Sequence, residues 1–529
     1  MDVADVRTVP RPPEASAALQ PPDHSGRGRR RLIGIAVAAA ILAGVVLRFL
    51  TTSELWLDEA LTVNIARLPL RDIPDALRHD GAPPLYYFLL HGWMQLFGEG
   101  GVAVRSLSAV FGIASLPVVW LAARRLSDRA VAWTAVVLMA TSPFGIRFAT
   151  EGRMYTLVTL LALLGYLALV SALESPTRPR LAALAVSTGL LLLTHYWALY
   201  LILATAVLLV VLARRGERAG AARRALAAMA VGSLLFIPWV PSFVSQLLHT
   251  GTPWADPATF KAMVNSVSEF AGGGTDAGRG LAIIIFALAA LAVFGRAIDS
   301  HRIELDLRTR PRARGLAMVI TATLVIAIAA GLATRSAYAA RYTAIVFGLF
   351  VVLIALGTTV FADRRIRYGV IAAATLLGLW GGTENVTEQR TQAGDVAAAI
   401  EASARPGDVV AYCPDQLGPS VDRLLRPGYV QLTYPRGLRP ELVDWVDYED
   451  RLKPADPAAF ADRLDATAGP DHDVYLAWSG GYRTHEDICE QIVGRLASRR
   501  TTTRPVQARP RKFFEYIELN RFQPRQAAG

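Results

Sequence analysis

Residues 27–60 read RGRRRLIGIAVAAAILAGVVLRFLTTSELWLDEA. An arginine cluster is followed by a largely apolar run from Leu32 to Leu50, and then by two adjacent carboxylates, Asp58 and Glu59. The run approaches the roughly 20 residues that a helix needs to cross the hydrocarbon core of a bilayer. It is too long for a signal-peptide core and has no small-residue cleavage site before Glu54, which predicts an uncleaved first span. The arginines ahead of it place the N-terminus on the cytoplasmic side. The acids behind it emerge at the opposite membrane boundary, where charge is costly unless it is used.

Working outward, the same composition continues to about residue 383. The chain of 529 residues is 53% apolar and only 19% charged, against about a quarter charged in an ordinary soluble protein. A single soluble globule is excluded. The net charge of +11 is the kind of surplus that nucleic-acid binders show, but its placement argues against that class. All but three of the 55 basic residues are arginine, and many sit just beyond apolar runs, in the positive-inside pattern. The Arg/Ala bias points to a GC-rich bacterial genome.

Ten more spans are predicted, at about 103–123, 131–147, 154–173, 182–200, 196–213, 226–242, 281–297, 315–333, 343–361 and 369–383. Arginines such as Arg124, Arg125, Arg178, Arg180, Arg214, Arg224, Arg312 and Arg365 fall on alternate connections. About eleven spans then put the C-terminus outside a bacterial plasma membrane. Residues 1–31, rich in Pro, Ala and Arg, read as a disordered cytoplasmic tail, and 32–383 as the transmembrane domain. Residues 51–102 and 243–280 read as outer loops, the second with Trp254 and Ala271-Gly272-Gly273-Gly274. The aromatic run Pro83–Trp93 is short for a span and suits helices lying at the interface.

From residue 384 to 529 helix and strand patterns alternate. Asp395–Ala404 and His485–Ser498 read as helices, and Val409–Cys413, Tyr429–Tyr434, Val474–Trp478 and Phe513–Glu518 as strands. This predicts an extracytoplasmic α/β domain around a mostly parallel sheet. Without a Gly-x-Gly-x-x-Gly loop it is assigned no nucleotide. Cys413 and Cys489 either pair outside the cytoplasm or remain two buried thiols. Asn385-Val386-Thr387 fits a glycosylation sequon, a match expected by chance at this length.

Asp58-Glu59 after the first span, followed by Asp80-x-x-Pro83-Pro84-Leu85-Tyr86-Tyr87, resembles the GT-C membrane glycosyltransferases. The likeness is greatest to the protein-mannosyltransferase and aminoarabinose-transferase group, glycosyltransferase family 39. Glu151-Gly152-Arg153-Met154-Tyr155, His195-Tyr196 and Arg341-Tyr342 also look like stations of bacterial members. The resemblance implies transfer of a sugar, with inversion, from a polyprenyl-phosphate carrier to an acceptor hydroxyl outside the membrane. Mannose is the favoured sugar, and the acceptor is an envelope glycan, glycolipid or protein.

On that reading Asp58 is the general base that takes the acceptor proton. Glu59 or Asp80 orients the acceptor or, with Asp58, helps hold a divalent cation such as Mg or Mn. Arg153 and Arg341 are candidates for the donor phosphate, which the planar guanidinium suits. The simpler alternatives stay open: Arg153 pairs with Glu151, and Arg341 anchors at the interface. Glu151, His195, Tyr86 and Tyr87 are candidate substrate contacts, although such tyrosines also populate interfacial belts. A transporter or flippase for an envelope lipid is the competing class. It usually keeps ionisable residues at mid-membrane and shows repeated halves, whereas here the acids gather in an outer loop. A non-catalytic scaffold needs no paired acids at the bilayer edge.

Overall fold

The computed structural model describes residues 24–214, 216–250, 259–300, 302–308, 310–334, 338–480, 482 and 484–525. The expected tail lies, up to residue 23, outside the described residues, as does Trp254. The chain divides into two units, 1–39 and 40–529. The first expected span falls on the helix His24–Leu47.

In the second unit, each remaining expected span falls on helix. The helices are Gly101–Leu126, Arg129–Ala140, Tyr155–Glu174, Arg178–Leu192, Ala198–Arg214, Ala219–Ser233, Asp276–Phe294, Pro311–Thr334, Ala344–Gly357 and Arg364–Thr387. Among the described residues, six helical stretches are long and apolar enough to cross a membrane, or seven counting one bent pair. This is a multi-pass membrane protein. The difference from eleven has local causes. Arg178–Leu192 has only 15 residues, and Arg364–Thr387 is diluted by Gly381-Gly382-Thr383-Glu384-Asn385. The expected span 131–147 breaks by 55° between Arg129–Thr141 and Pro143–Ala149. There the Ser142 hydroxyl accepts from Gly145 N–H, and Pro143 supplies the first helical position without a donor to waste.

Small residues let the helices approach closely. A Cβ on Gly232 would lie 2.0 Å from the Ala185 carbonyl oxygen. Ala344–Gly357 is buried along its whole length and forms the centre of the bundle.

The segment 51–102, expected as an outer loop, folds into three helices, Leu57–Ala66, Ile73–Asp80 and Leu85–Phe97. Gly81 ends the second at φ 86°, a left-handed conformation that favours glycine. The third buries Tyr86, Tyr87, Leu90 and Met94 and exposes Phe88, Leu89, Leu96 and Phe97, as an interfacial helix does.

The C-terminal lobe holds a five-stranded sheet in the spatial order Val430–Thr433, Val409–Cys413, Val474–Trp478, Glu518–Gln523, Thr501–Val506. The first three strands run parallel and the last two join antiparallel, so the sheet is mixed where a mostly parallel one was expected. The polar run Thr501–Val506 carries no apolar alternation to announce a strand. The expected closing strand divides: Phe513–Glu515 pairs separately with Gln389–Thr391, and Glu518–Gln523 closes the main sheet. Cys413 and Cys489 form a disulfide with Cα atoms 5.6 Å apart, tying the strand Val409–Cys413 to the helix Ile488–Arg499. The sequon lies in a helix, where the Asn385 amide donates to the Pro143 carbonyl at 3.0 Å.

The lobe is bonded into the helices of segment 51–102. Leu57 N–H donates to Glu515 Oε2 at 2.8 Å, Asn64 Nδ2 to Glu441 O at 2.7 Å, and Trp445 N–H to His79 O at 2.9 Å.

The close approach at Gly232 is testable. Gly232→Val must push apart helices Arg178–Leu192 and Ala219–Ser233, costing about 1–3 kcal/mol. The melting temperature of the detergent-purified protein should fall, while Gly220→Ala, which meets nothing within 4 Å, should leave it unchanged or higher.

Candidate active site

The two adjacent acids opening the helix Leu57–Ala66 point in different directions, because successive helical residues are separated by about 100°. Glu59 turns inward and is fully buried. Arg105 grips it as a fork, Nε to Oε1 at 2.7 Å and Nη2 to Oε2 at 2.6 Å. Gly152 N–H adds a bond to Oε1 at 2.8 Å, and Arg390 Nη1 stands 3.8 Å from Oε2. Burial alone would raise the carboxyl pKa, but Arg105, Arg390 and the Gly152 amide together hold it below the usual range. Gly152 must lack a side chain, since a Cβ there would meet Val104 at 2.7 Å.

The expectation that Glu59 orients acceptor or metal is therefore corrected. Its oxygens are already taken, and it serves as a structural tether.

Asp58 faces the other way, with 18% of its side chain exposed. Arg341 Nη2 lies 3.5 Å from Asp58 Oδ2, and its guanidinium sits over the rings of Trp56 and Tyr342 at 5.9 and 5.7 Å. Arg153 approaches from below the same helix turn. Its Nη1 donates to Thr62 Oγ1 at 2.6 Å and Tyr87 OH at 3.2 Å, and lies 3.4 Å from the Asp58 carbonyl. Tyr87 OH donates in turn to Asp80 Oδ2 at 2.6 Å. Burial raises Asp80 above the ordinary carboxylate range, against the pull of Arg153 and Tyr87. The structure thus brings Asp58, Asp80, Tyr87, Arg153 and Arg341 together.

The remaining candidates surround this group. Glu151 is buried, with Arg147 Nε 4.0 Å away, and burial raises its pKa. Its backbone carbonyl accepts from Arg153 N–H at 2.7 Å, but Arg153's side chain turns to Thr62 and Tyr87, so the alternative Glu151–Arg153 ion pair does not form. His195 accepts from Trp197 N–H at Nδ1 (3.1 Å) and lies between the rings of Tyr155 and Tyr342. Burial, with Arg153 and Arg341 nearby, pushes its pKa down to about 3, so the imidazole is neutral. Tyr86 is fully buried and bonds Ser108 at 2.8 Å, a packing position. Neither Tyr86 nor Tyr87 has the exposure of a belt residue.

A family model described as dolichyl-phosphate-mannose-protein mannosyltransferase matches residues 81–241. The structure is similar to that of ArnT from Cupriavidus metallidurans bound to undecaprenyl phosphate. The TM-score is 0.61 at 12% identity, over 92% of this chain and 98% of ArnT. The apo form of the same protein gives 0.61 at 13% identity, over 94% and 98%. This chain has a GT-C fold, similar to glycosyltransferase family 39. No curated protein matches it in sequence.

Within this GT-C fold, a resident divalent cation on Asp58 and Asp80 does not fit the donor set. Among the described residues no three His, Cys, Asp or Glu side chains gather as metal ligands. Arg341 covers Asp58, and Tyr87 takes an oxygen of Asp80. The positive charge of the site is supplied by arginine.

Sequence reasoning missed Arg105, Arg390, Thr62 and Glu515. Arg105 had a signal, as a lone charge near the start of a predicted span. Arg390 and Glu515 had none, because they come from the distant lobe. Glu515 is buried and its pKa is pushed up to about 7, even though it accepts from Thr391, Ser420 and Leu57.

Arg105→Ala leaves Glu59 buried without its main partner, which typically costs about 3–5 kcal/mol. The purified variant should unfold at markedly lower temperature, whereas Asp58→Asn should melt close to the parent. Equal melting of parent and Arg105→Ala would remove the tether role.

Proposed function

We propose that this protein is an inverting glycosyltransferase that moves a sugar, mannose by preference, from a polyprenyl-phosphate carrier to a hydroxyl on the outer face of the membrane. The acceptor is an envelope glycan, glycolipid or protein. The observation that carries this reading is one partly exposed carboxylate, Asp58, paired with Arg341, with Arg153 at the backbone carbonyl of the same residue.

The acceptor oxygen attacks the anomeric carbon through an oxocarbenium-like state. Asp58 takes the hydroxyl proton as the new C–O bond forms. The old bond breaks toward the polyprenyl phosphate, whose growing negative charge falls to Arg341 and Arg153. A phosphate leaving group is weakly basic and needs no general acid. In the free protein Arg341 is paired with Asp58. A donor phosphate competes for that guanidinium, and its arrival frees an Asp58 oxygen to accept from the acceptor hydroxyl. His195, neutral and with Nδ1 already accepting, offers an Nε2–H to a sugar hydroxyl.

Three features support the outer-face assignment: arginines on alternate connections, acids on the opposite side, and a disulfide in the C-terminal lobe, a bond typical of oxidising compartments. The arginine-rich site supports a reaction without a bound cation.

Membranes carrying the protein should transfer label from a polyprenyl-phosphate sugar, and Asp58→Asn should lose at least 100-fold while remaining folded. Arg341→Ala should raise the donor KM more than it lowers kcat, and EDTA should leave transfer intact. Full activity in Asp58→Asn would remove the base assignment. Unchanged donor affinity in Arg341→Ala would remove the phosphate assignment.

A further inference from the structure

We propose a second binding site at the opposite end of the bundle, for a lipid bearing a phosphomonoester head. The helix Gly101–Leu126 carries Arg105 near its start, gripping Glu59, and Arg124 and Arg125 at its end. At 1.5 Å per residue those ends are about 30 Å apart, the thickness of the hydrocarbon core. At the Arg124 end lies a cavity of about 910 Å³. That is near the top of the usual range for ligand pockets, about 300–1,000 Å³.

The cavity has two chemically distinct parts. Its wall is hydrocarbon from several helices, including Ala162, Leu169, Leu191, Leu201 and Val319. The hydroxyls of the wall threonines are spent on their own helices, Thr188 on Leu184 O at 2.9 Å and Thr205 on Leu201 O at 2.8 Å. Its rim carries Arg124, Arg125, Arg218 and Arg312. Arg125 is neutralised by Glu174 at 2.8 Å. Among the described residues Arg124 donates only to the Ser127 carbonyl, and Arg124, Arg218 and Arg312 have no carboxylate within 4 Å. The other rim acid, Asp128, caps the next helix by accepting from Val131 N–H.

Three guanidiniums thus face one acid. That surplus matches a phosphomonoester, with about −1.5 to −2 charge at neutral pH, better than the single charge of a phosphodiester head. A chain fills the wall and a phosphate meets the rim. No residue of this site belongs to the Asp58 group. The polyprenyl phosphate released by the proposed transfer is one member of the ligand class, and phosphatidic acid is another, so binding can be measured whether or not sugar transfer occurs.

The test uses the full chain in detergent, in an Arg341→Ala background that weakens the outer phosphate site. Phosphatidic acid, phosphatidylglycerol, phosphatidylcholine and inorganic phosphate are titrated separately, with binding read by intact-complex mass spectrometry. Phosphatidic acid should bind at least 10-fold more tightly than phosphatidylcholine, with phosphatidylglycerol between them. Replacing Arg124, Arg218 and Arg312 by Gln should weaken phosphatidic acid at least 10-fold.

Because removing three arginines can disturb insertion, Gly165→Leu provides an independent arm. Its Cβ would start 3.7 Å from Ser187, without a clash, and the side chain would fill the cavity while leaving every charge in place. It should also weaken phosphatidic acid at least 10-fold. Equal affinity for phosphatidylcholine, or phosphatidic acid binding unaffected by Gly165→Leu, overturns the proposal. So does full competition by inorganic phosphate, which would mark a free-phosphate site.

Discussion

A carboxylate buried in a dry interior costs several kcal/mol unless its charge is answered in place. Glu59 is such a group, and the end of the molecule that holds it is arranged around answering it. Arg105 comes from the first helix after segment 51–102 (the long helix Gly101–Leu126), Gly152 from the turn before another long helix, and Arg390 from the start of the C-terminal lobe. One side chain therefore joins three distant parts of the chain. With Glu59 fixed, the helix it belongs to cannot rotate. Its neighbour Asp58 is then held outward against Arg341.

The C-terminal lobe belongs to the same construction. Arg390 also donates to the Thr150 carbonyl at 2.6 Å and to Thr150 Oγ1 at 2.7 Å, and Glu515 receives the N–H of Leu57 at the start of the helix Leu57–Ala66. Trp56, beneath Arg341, packs edge-on against Phe514. A lobe that looks separate in the sequence thus supplies backing for the Asp58 helix, and residues 40–529 pack as one unit.

The membrane half was legible in the sequence because lipid imposes strong rules. Long apolar runs, arginines on alternate connections and a displaced acidic pair follow from the cost of burying charge. Asp58 stood out for the same reason. The division of labour between Asp58 and Glu59 was not legible, since it depends on which helical face meets Arg105 and Gly152, a tertiary fact. The lobe's strands were found where they were apolar, as in Val409–Cys413 and Val474–Trp478. They were missed where Thr501–Val506 pairs at an edge with polar side chains. Span length was overestimated where polar residues such as Thr194 and His195 end a helix early.

The central claim is that Asp58 activates an acceptor while the arginines receive a departing lipid phosphate, in a single displacement that inverts the anomeric centre. The most direct measurement supplies the purified protein with a polyprenyl-phosphate sugar of known anomeric configuration and reads the product linkage by NMR. The account predicts the inverted anomer, with one polyprenyl phosphate released per sugar transferred. A retained anomer, or sugar transferred with the phosphate still attached, would contradict it.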